Sequence, residues 1–206
     1  MTESLTPYID LARELLRGYE PRTLHSPGSK PAAVLVLLYH DAGEDRVLLT
    51  KRTDTVEHHK GQISFPGGGV HDADADLSVT ALRETWEEVG VRPEHVEILG
   101  RLDDMVTTSD FLVAPFVGVL TETPYEFVTS ELEVAEILEP PVAHLLTDDA
   151  LVMETRELQG EVRLLPAYYW EGHRIWGATA RMLQEFLELL RGAPDRLDTI
   201  RAHSHA

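Results

Sequence analysis

The sequence predicts an α/β fold in which one mixed β-sheet is covered by helices on both faces. Short runs rich in aliphatic and β-branched residues recur along the chain, and between them lie a few segments whose apolar residues follow the helical period. No internal repeat or low-complexity linker interrupts this order. We therefore expect a single domain over residues 1–206.

The first helix is expected over residues 6–18. Thr6 can cap this helix, Pro7 can occupy its first turn and Gly18 can end it. Its apolar side is predicted from the helical spacing of four residues, Tyr8, Leu11, Ala12 and Leu15.

Most of the remaining elements are predicted to be strands. Two β-rich runs at residues 32–39 and 46–52 are separated by a polar segment, which favours a hairpin. Further strands are predicted at 96–102 and 111–120. A short strand that stops before Pro140 is expected next, followed by a small helix, and then a last hairpin over 162–177.

The last predicted helix spans residues 178–191 and ends at Gly192. Its apolar residues fall on one side and are Met182, Leu183, Phe186, Leu187 and Leu190. Residues 193–206 are expected to form a loosely held tail.

Charge limits the classes of partner. The 206 residues include 18 Lys and Arg against 36 Asp and Glu, so the formal net charge is -18. Because such a surface repels nucleic acid and anionic membranes, we expect a small-molecule substrate and neither of those partners. The absence of cysteine excludes disulfides and thiolate sites. The sequence shows neither a secretory leader pattern nor an apolar run of about 20 residues, which predicts a cytoplasmic protein, while the oligomeric state stays open.

One predicted helix, residues 76–89, gathers acidic side chains on one side. At about 100° per residue, Glu84, Glu87 and Glu88 fall within a sector of about 100°. The opposite side is apolar and is expected to pack on the sheet through Val79, Leu82, Trp86 and Val89. A solvated acidic face is the ordinary interpretation of such a helix. Clustered carboxylates are also the ligands that Mg²⁺ or Mn²⁺ requires in order to bind a phosphate substrate.

Neighbouring residues favour the metal interpretation. Arg83 precedes Glu87 by one turn and can hold that carboxylate by a charge-assisted hydrogen bond. The glycines at 67–69 can adopt positive φ and bring the backbone close to a ligand, so a carbonyl near Gly68 could join the metal ligands. Alternatively, these glycines form only a tight turn.

Residues 69–91 resemble the Nudix box, G-x5-E-x7-R-E-U-x-E-E-x-G-U, in which U is a bulky apolar residue. The matching positions are Gly69, Arg83, Glu84, Glu87, Glu88, Gly90 and Val91. Ala75 stands where the box has its first Glu, and Thr85 replaces an apolar residue. Because that Glu is thought to support the loop, Asp74 or Asp76 could compensate. The resemblance implies a Nudix-type α/β/α sandwich with a mixed sheet, dependence on Mg²⁺ or Mn²⁺, and hydrolysis of a nucleoside diphosphate linked to another moiety.

Residues 48–68 are similar to a second signature, LLTxT(S/A)x3Rx3Gx3FPGG, of the coenzyme A pyrophosphatase branch. The matching positions are Leu48, Leu49, Thr50, Gly61, Phe65, Pro66, Gly67 and Gly68. Arg52 and Thr53 replace the expected Thr and Ser or Ala, and Glu57 reverses the charge of the expected Arg. The branch implies cleavage of coenzyme A to 4'-phosphopantetheine and adenosine 3',5'-bisphosphate. Another nucleotide substrate, such as ADP-ribose or a dinucleoside polyphosphate, and a non-catalytic nucleotide sensor are the alternatives.

The resemblance also implies roles for individual residues. Catalytic roles fall to Glu87, Arg83 and Glu84. The expected metal ligands are Glu84 and Glu88, joined by Glu87 and the carbonyl of Gly68, with Glu87 alternatively accepting the proton of the attacking water. A further acid is expected from Glu131, Glu133 or Glu136. Substrate phosphates are expected to meet basic residues from the group Lys51, Arg52, His58, His59 and Lys60.

Overall fold

The computed structural model describes residues 7–53, 61–158 and 161–192, and the strands of these segments form two β-sheets. The larger sheet contains β1 (Lys30–Asp41), β2 (Glu44–Arg52), β3 (Ile63–Ser64), β4 (Gly67–Gly69), β5 (Val96–Arg101), β6 (Met105–Val106), β7 (Phe111–Leu120) and β8 (Val134–Leu138). The smaller sheet contains β9 (Leu151–Leu158), β10 (Glu161–Trp170) and β11 (His173–Ile175). The helices are α1 (Pro7–Arg17), α2 (Leu77–Val89), α3 (Val142–Leu145) and α4 (Gly177–Leu190), with a 3₁₀ turn at Pro93–His95.

The larger sheet is mixed, as predicted. Its main order is β3-β2-β1-β7-β5, while β4 pairs with β1, β6 with β7 and β8 with β2. β1 runs parallel to β7 and antiparallel to β2 and β4. The short β4 follows β3 after two residues and pairs with the central strand β1. This pairing brings the glycine-rich segment to the middle of the sheet.

Side chains of β1 alternate between the two faces of the sheet. Leu35 and Leu37 pack with Ala81 and Val89 of α2 on one face. On the other face, Val36 and Leu38 belong to a cluster that also includes Ile9, Ala12 and Leu16 of α1 and Leu183 and Phe186 of α4. Helices thus cover both faces, and the predicted α/β/α sandwich is confirmed.

Most long elements lie where the sequence predicts them, and the differences have clear causes. The strand β9 was not predicted, because its sequence LVMETREL does not alternate regularly between polar and apolar residues. The strands β3, β4 and β6 have only two or three residues each, too few to show a period.

The buried side of α1 is broader than the predicted one and is centred on Ile9, Ala12 and Leu16. Ile9, Ala12 and Leu16 are buried, whereas Tyr8, Leu11 and Leu15 are partly buried at its margins. The helix contacts β5 on one side and α4 on the other, so apolar residues are needed over a wider arc than one stripe. The predicted cap Thr6 lies outside the described residues, and the carboxylate of Asp45 accepts hydrogen bonds from the backbone amides of Tyr8 (2.9 Å) and Ile9 (3.2 Å).

None of the described helices combines the length and apolar character that a bilayer crossing requires.

Candidate functional site

Helix α2 carries the acidic residues, and its ends are fixed by strong caps. Asp76 Oδ1 accepts hydrogen bonds from the amides of Ser78 (2.8 Å) and Val79 (3.1 Å), and Gly90 ends the helix with a φ of 72°. A left-handed residue at this position favours glycine. The helix therefore begins and ends at defined residues beside β4.

The predicted packing side of α2 is right for Val89, which is buried, and for Leu82, which packs against the same cluster, but wrong for Trp86 and Val79, which are 56% and 38% exposed. The buried residues of the helix are Thr80, Ala81, Thr85, Glu88 and Val89. Ala81 and Thr85 are small enough to let the helix lie close to β1 and β4, which a tryptophan at the interface would prevent. Thr85, which departs from the box, is fully buried and donates its hydroxyl to the carbonyl of Ala81 at 2.7 Å. The rotation of the helix carries Glu88 inward.

Glu88 is an acidic side chain inside the protein. Its side chain is 3% exposed, and its Oε2 has no hydrogen-bond partner among the described residues. The nearest cation is Arg52, whose Nη1 lies 3.8 Å from Oε1. Burial raises the pKa of Glu88 to about 8; the guanidinium of Arg52 opposes this shift, and the charges of Glu84 and Glu133 add to it. A carboxylate in this position needs a compensating cation when it is ionised.

Glu84 lies one turn before Glu88 and against the glycine turn. A Cβ atom on Gly68 would lie 2.5 Å from Oε2 of Glu84, so only glycine allows this approach. Gly67 has a φ of 154°, whereas Gly68 and Gly69 do not have positive φ, so the predicted freedom is used at one of the three positions. Burial raises the pKa of Glu84, while the guanidinium of Arg83 opposes the shift.

Arg83 joins α2 to the loop before it. Its Nη1 donates to Glu84 Oε1 at 2.8 Å and to Glu87 Oε2 at 3.3 Å, and its Nη2 donates to the carbonyl of Gly69 at 3.0 Å. The predicted contact with Glu87 is therefore present. Glu87 shares Nη1 of Arg83 with Glu84 but is 51% exposed, whereas the side chain of Glu88 is 3% exposed.

Asp74 binds the guanidinium of Arg83 from the loop before α2. Its two carboxylate oxygens accept from Nε and Nη2 of Arg83, each at 3.0 Å, and Oδ2 also accepts from Thr80 and from the amide of His71. The Arg83 guanidinium holds the pKa of this carboxyl well below its usual range. The sequence left Asp74 and Asp76 as alternatives for the missing Glu at position 75. In the structure Asp74 binds Arg83, and Asp76 caps the helix.

A loop before β8 brings a further acid to the site. The amide of Ser130 donates to the carbonyl of Glu88 at 2.9 Å, and the amide of Thr53 donates to the carbonyl of Glu133 at 3.0 Å. The charge of Glu133 contributes to raising the pKa of both Glu84 and Glu88. Glu136 instead pairs with Lys51 (3.2 Å) and His173 (3.4 Å). The structure thus distinguishes Glu133 from Glu136, a choice that the sequence left open.

The predicted substrate-binding residues divide into three groups. Arg52 approaches Glu88, whereas Lys51 pairs with Glu136 of the neighbouring strand. His59 and Lys60, together with Glu57 and His58, lie outside the described residues. The register between β2 and β8 shifts between Lys51 and Arg52, and these two adjacent basic side chains have different partners.

The donors of this site fit a divalent cation, although they are not assembled as a complete set of ligands. Among the described residues, no three His, Asp or Glu side chains are gathered closely enough to hold a metal ion. Mg²⁺, however, commonly uses one or two carboxylates and takes its remaining ligands from water and substrate phosphates. Glu88 Oε2, which has no hydrogen-bond partner among the described residues, and the neighbouring Glu84 could supply these one or two carboxylates.

Comparison with known proteins identifies the family. The chain belongs to the NUDIX domain family, which matches residues 29–156. It is 36% identical over 173 residues to an uncharacterized Nudix hydrolase NudL of Cronobacter sakazakii, covering 84% of this chain and 88% of that protein. Nudix hydrolase 22, chloroplastic, of Arabidopsis thaliana is 34% identical over 160 residues, or 75% of this chain and 53% of the plant protein, so this chain spans about half the length of that relative.

A crystal structure of a NUDIX hydrolase from Alicyclobacillus acidocaldarius shares the fold, with a TM-score of 0.53 at 20% identity over 79% of this chain and 93% of the other. This protein is accordingly a Nudix pyrophosphohydrolase, an enzyme class that acts on nucleoside diphosphate derivatives and generally needs divalent metal ions.

Replacing Asp74 with Asn should lower kcat by about 10–100-fold, because Arg83 loses the carboxylate that fixes it and then positions Glu84 and Glu87 less well. Steady-state kinetics would measure the change, with circular dichroism to verify folding. Asp72→Asn is the matched control, since it removes the same charge from an exposed residue of the same loop. Equal losses in the two variants would contradict the role of Asp74.

Replacing Glu88 with Gln should stabilise the metal-free protein at pH 8 and give little gain at pH 4.5. In the folded state Glu88 holds its proton up to a pKa of about 8 against an ordinary 4.5, so the unfolded state binds fewer protons between these values and wild-type stability falls as pH rises through them. Thermal melts with EDTA would measure this, with about 2–4 °C expected for each kcal/mol.

The half-exposed Glu87→Gln is the control for the same charge change, and its effect should stay within about 0.5 kcal/mol. Mg²⁺ or Mn²⁺ should raise the melting temperature of the wild type but not that of Glu88→Gln. If Glu88→Gln is less stable than wild type at pH 8, the raised pKa assigned to the buried Glu88 is wrong.

Proposed function

We propose that this Nudix hydrolase cleaves the diphosphate linkage of coenzyme A or its derivatives, with Mg²⁺ or Mn²⁺ as cofactor. The products are 4'-phosphopantetheine and adenosine 3',5'-bisphosphate. Both phosphorus atoms of the linkage carry anionic oxygens, and the substrate bears a further 3'-phosphate. The net charge of -18 makes local cations necessary for such a substrate.

The observation that carries the substrate proposal is the position of the coenzyme A signature. Leu48 and Leu49 are fully buried in β2, and the hydroxyl of Thr50 donates to the carbonyl of Ser64 at 3.3 Å, which joins β2 to β3. Phe65 is 1% exposed. The signature then ends at Gly68, directly against Glu84. Leu48 packs in the same cluster as Ala81 and Val89 of α2, whereas Leu49 and Phe65 belong to the core on the other face of the sheet. The glycine end of the signature is therefore the part that adjoins the carboxylates of α2, where a feature that selects the substrate is expected.

The carboxylates supply the chemistry of this site. Glu84 and Glu88 are the first choices as ligands of the cation, with the carbonyl of Gly68 and the side chain of Glu87 as further oxygen donors. These residues would hold a divalent cation, which would supply Lewis-acid polarisation of the phosphoryl oxygens and offset the charge of the leaving phosphate. Arg83 keeps Glu84 and Glu87 in place through its two hydrogen bonds from Nη1. Water is the nucleophile, so no covalent intermediate with the protein is required.

A carboxylate must take the proton of that water. Glu133 is our choice among the acids of its loop, because its charge acts on both Glu84 and Glu88 while Glu136 is engaged by Lys51 and His173. Glu87 is the alternative. Arg52 is placed to contact a phosphate oxygen, since it lies 3.8 Å from Glu88 and a cation bound at Glu88 would free it from that carboxylate. His59 and Lys60 are further candidates for phosphate contact.

A product assay tests the substrate. Coenzyme A, ADP-ribose and diadenosine tetraphosphate should be compared at equal concentration with Mg²⁺, with Mn²⁺ and with EDTA. We expect the highest kcat/KM for coenzyme A, the two products named above and no turnover in EDTA. A preference for ADP-ribose would replace the substrate and keep the enzyme class. Binding of all three without turnover would instead indicate a nucleotide sensor.

Replacing Glu133 with Gln should lower kcat by about 10²–10⁴-fold, with a smaller change in KM, because a general base is removed and the substrate contacts remain. The pH–rate profile should lose its acidic limb. Glu131→Gln is the matched control, since it changes an exposed acid of the same loop. If Glu131→Gln or Glu87→Gln produces the larger loss, Glu133 is not the base.

A further inference from the structure

Among the described residues, the smaller sheet ends at an edge strand, β9. β9 pairs with β10 on one side, and within the described segments no strand lies on its other side. Val152 and Met153 of β9 are 44% and 46% exposed. An exposed edge of eight residues carries a row of unpaired N–H and C=O groups, which is a template for another strand.

The hydrogen-bond pattern shows which residues of β9 face this edge. The amide of Tyr169 donates to the carbonyl of Ala150 at 2.9 Å, so residues 150 and 169 form a hydrogen-bonded pair. Such pairs alternate along an antiparallel ladder, and the even-numbered residues of β9 are therefore the ones bonded to β10. The N–H and C=O groups of the odd-numbered residues point to the open edge. Thr155 lies at the centre of this outward-facing set.

We propose that two copies of this chain pair through β9, antiparallel, across a two-fold axis at Thr155. In this register each Thr155 exchanges two backbone hydrogen bonds with its copy. Glu154 then lies opposite Arg156 of the second copy, and Arg156 opposite Glu154 of the second copy. Both are non-hydrogen-bonded positions, where facing Cα atoms are only about 4.5 Å apart and cross-strand charges interact most closely.

Charge selects this register over its neighbours. An axis at Glu154 would set two glutamates opposite each other, and an axis at Arg156 would set two arginines opposite each other. Both arrangements are destabilising. In the single chain Arg156 already donates to Glu154 at 3.2 Å, and Arg156 remains 38% exposed. Its guanidinium also lies over the ring of Trp176, 5.2 Å from the centroid, and its exposed part is available to the carboxylate of the second copy.

Exposed apolar residues on one face of the hairpin support the same pairing. Leu164 lies directly across from Thr155, and Val162 lies on the same face two residues away. These side chains are 62% and 72% exposed. In the paired state, a continuous row of side chains on one face of the sheet runs from Leu164 through both Thr155 residues to Leu164 of the second copy. Pairing thus gives neighbours to apolar side chains that the single chain leaves in water.

Proline at position 155 tests the pairing. Thr155→Pro removes an outward N–H and adds a ring at the contact, while the ladder to β10 keeps its hydrogen bonds. Sedimentation velocity should show the wild type at twice the chain mass of 23.1 kDa and Thr155→Pro at the single mass, with unchanged circular dichroism. Thr155→Val is the matched control, because it keeps the N–H, and it should remain paired.

A cysteine at the axis tests the register. The chain has no cysteine, so Thr155→Cys is the only thiol in its variant. Hydrogen-bonded partners have Cα atoms about 5.5 Å apart, a distance that a disulfide spans. Oxidation should crosslink Thr155→Cys efficiently and the exposed Glu157→Cys of the same strand at least about tenfold less, because residue 157 faces Met153 of the second copy.

Three outcomes would overturn the proposal. In the first, the wild-type protein sediments with the mass of one chain at about 100 μM. In the second, Thr155→Pro still sediments as a dimer. In the third, the disulfide crosslink forms better at position 157 than at position 155. The first denies the pairing at a concentration where a specific dimer should form, the second moves it to another surface, and the third denies the register.

Discussion

The approach of α2 to the glycine turn is the constraint on which the rest of the site depends. Gly68 leaves just enough room for the carboxylate of Glu84, and the small residues Ala81 and Thr85 let the helix lie close to the sheet. One consequence is that Glu88 enters the interior and its Oε2 finds no hydrogen-bond partner among the residues that the structure describes. The fold thereby accepts an unfavourable buried carboxylate, which a bound cation would compensate.

Arg83 and Asp74 make that arrangement rigid. The arginine reaches two carboxylates of its own helix and a carbonyl of the turn, and Asp74 holds its other edge. Because a guanidinium has fixed geometry, these bonds transmit the position of the loop to Glu84 and Glu87. The loss of the usual acid at position 75 is therefore compatible with an ordered site. The neighbouring Asp74 bonds Arg83 and the amide of His71, and Asp76 caps the helix.

The architecture was largely predictable, since the long strands and α4 have clear periods and clear stops. The packing of α2 was not. Of its predicted apolar stripe, Trp86 and Val79 face outward, whereas Val89 and Leu82 pack against the sheet together with the small residue Ala81. Periodicity measures hydrophobicity around a helix, but it does not measure the width of the surface that receives the helix. For the same reason, it placed the three glutamates on one side of the helix but did not predict that Glu88 is buried while Glu87 is half-exposed.

The sequence by itself determined the family, the candidate carboxylates and the location of the glycine turn, because these depend on residue identity and spacing along the chain. Tertiary structure decided which carboxylate is buried, which of the two aspartates binds Arg83 and which acid before β8 approaches the helix. It also made β9 an edge strand within the described part of the chain. These properties depend on contacts between segments far apart in sequence, such as Thr53 with Glu133 and Gly68 with Glu84, and no local pattern encodes those distances.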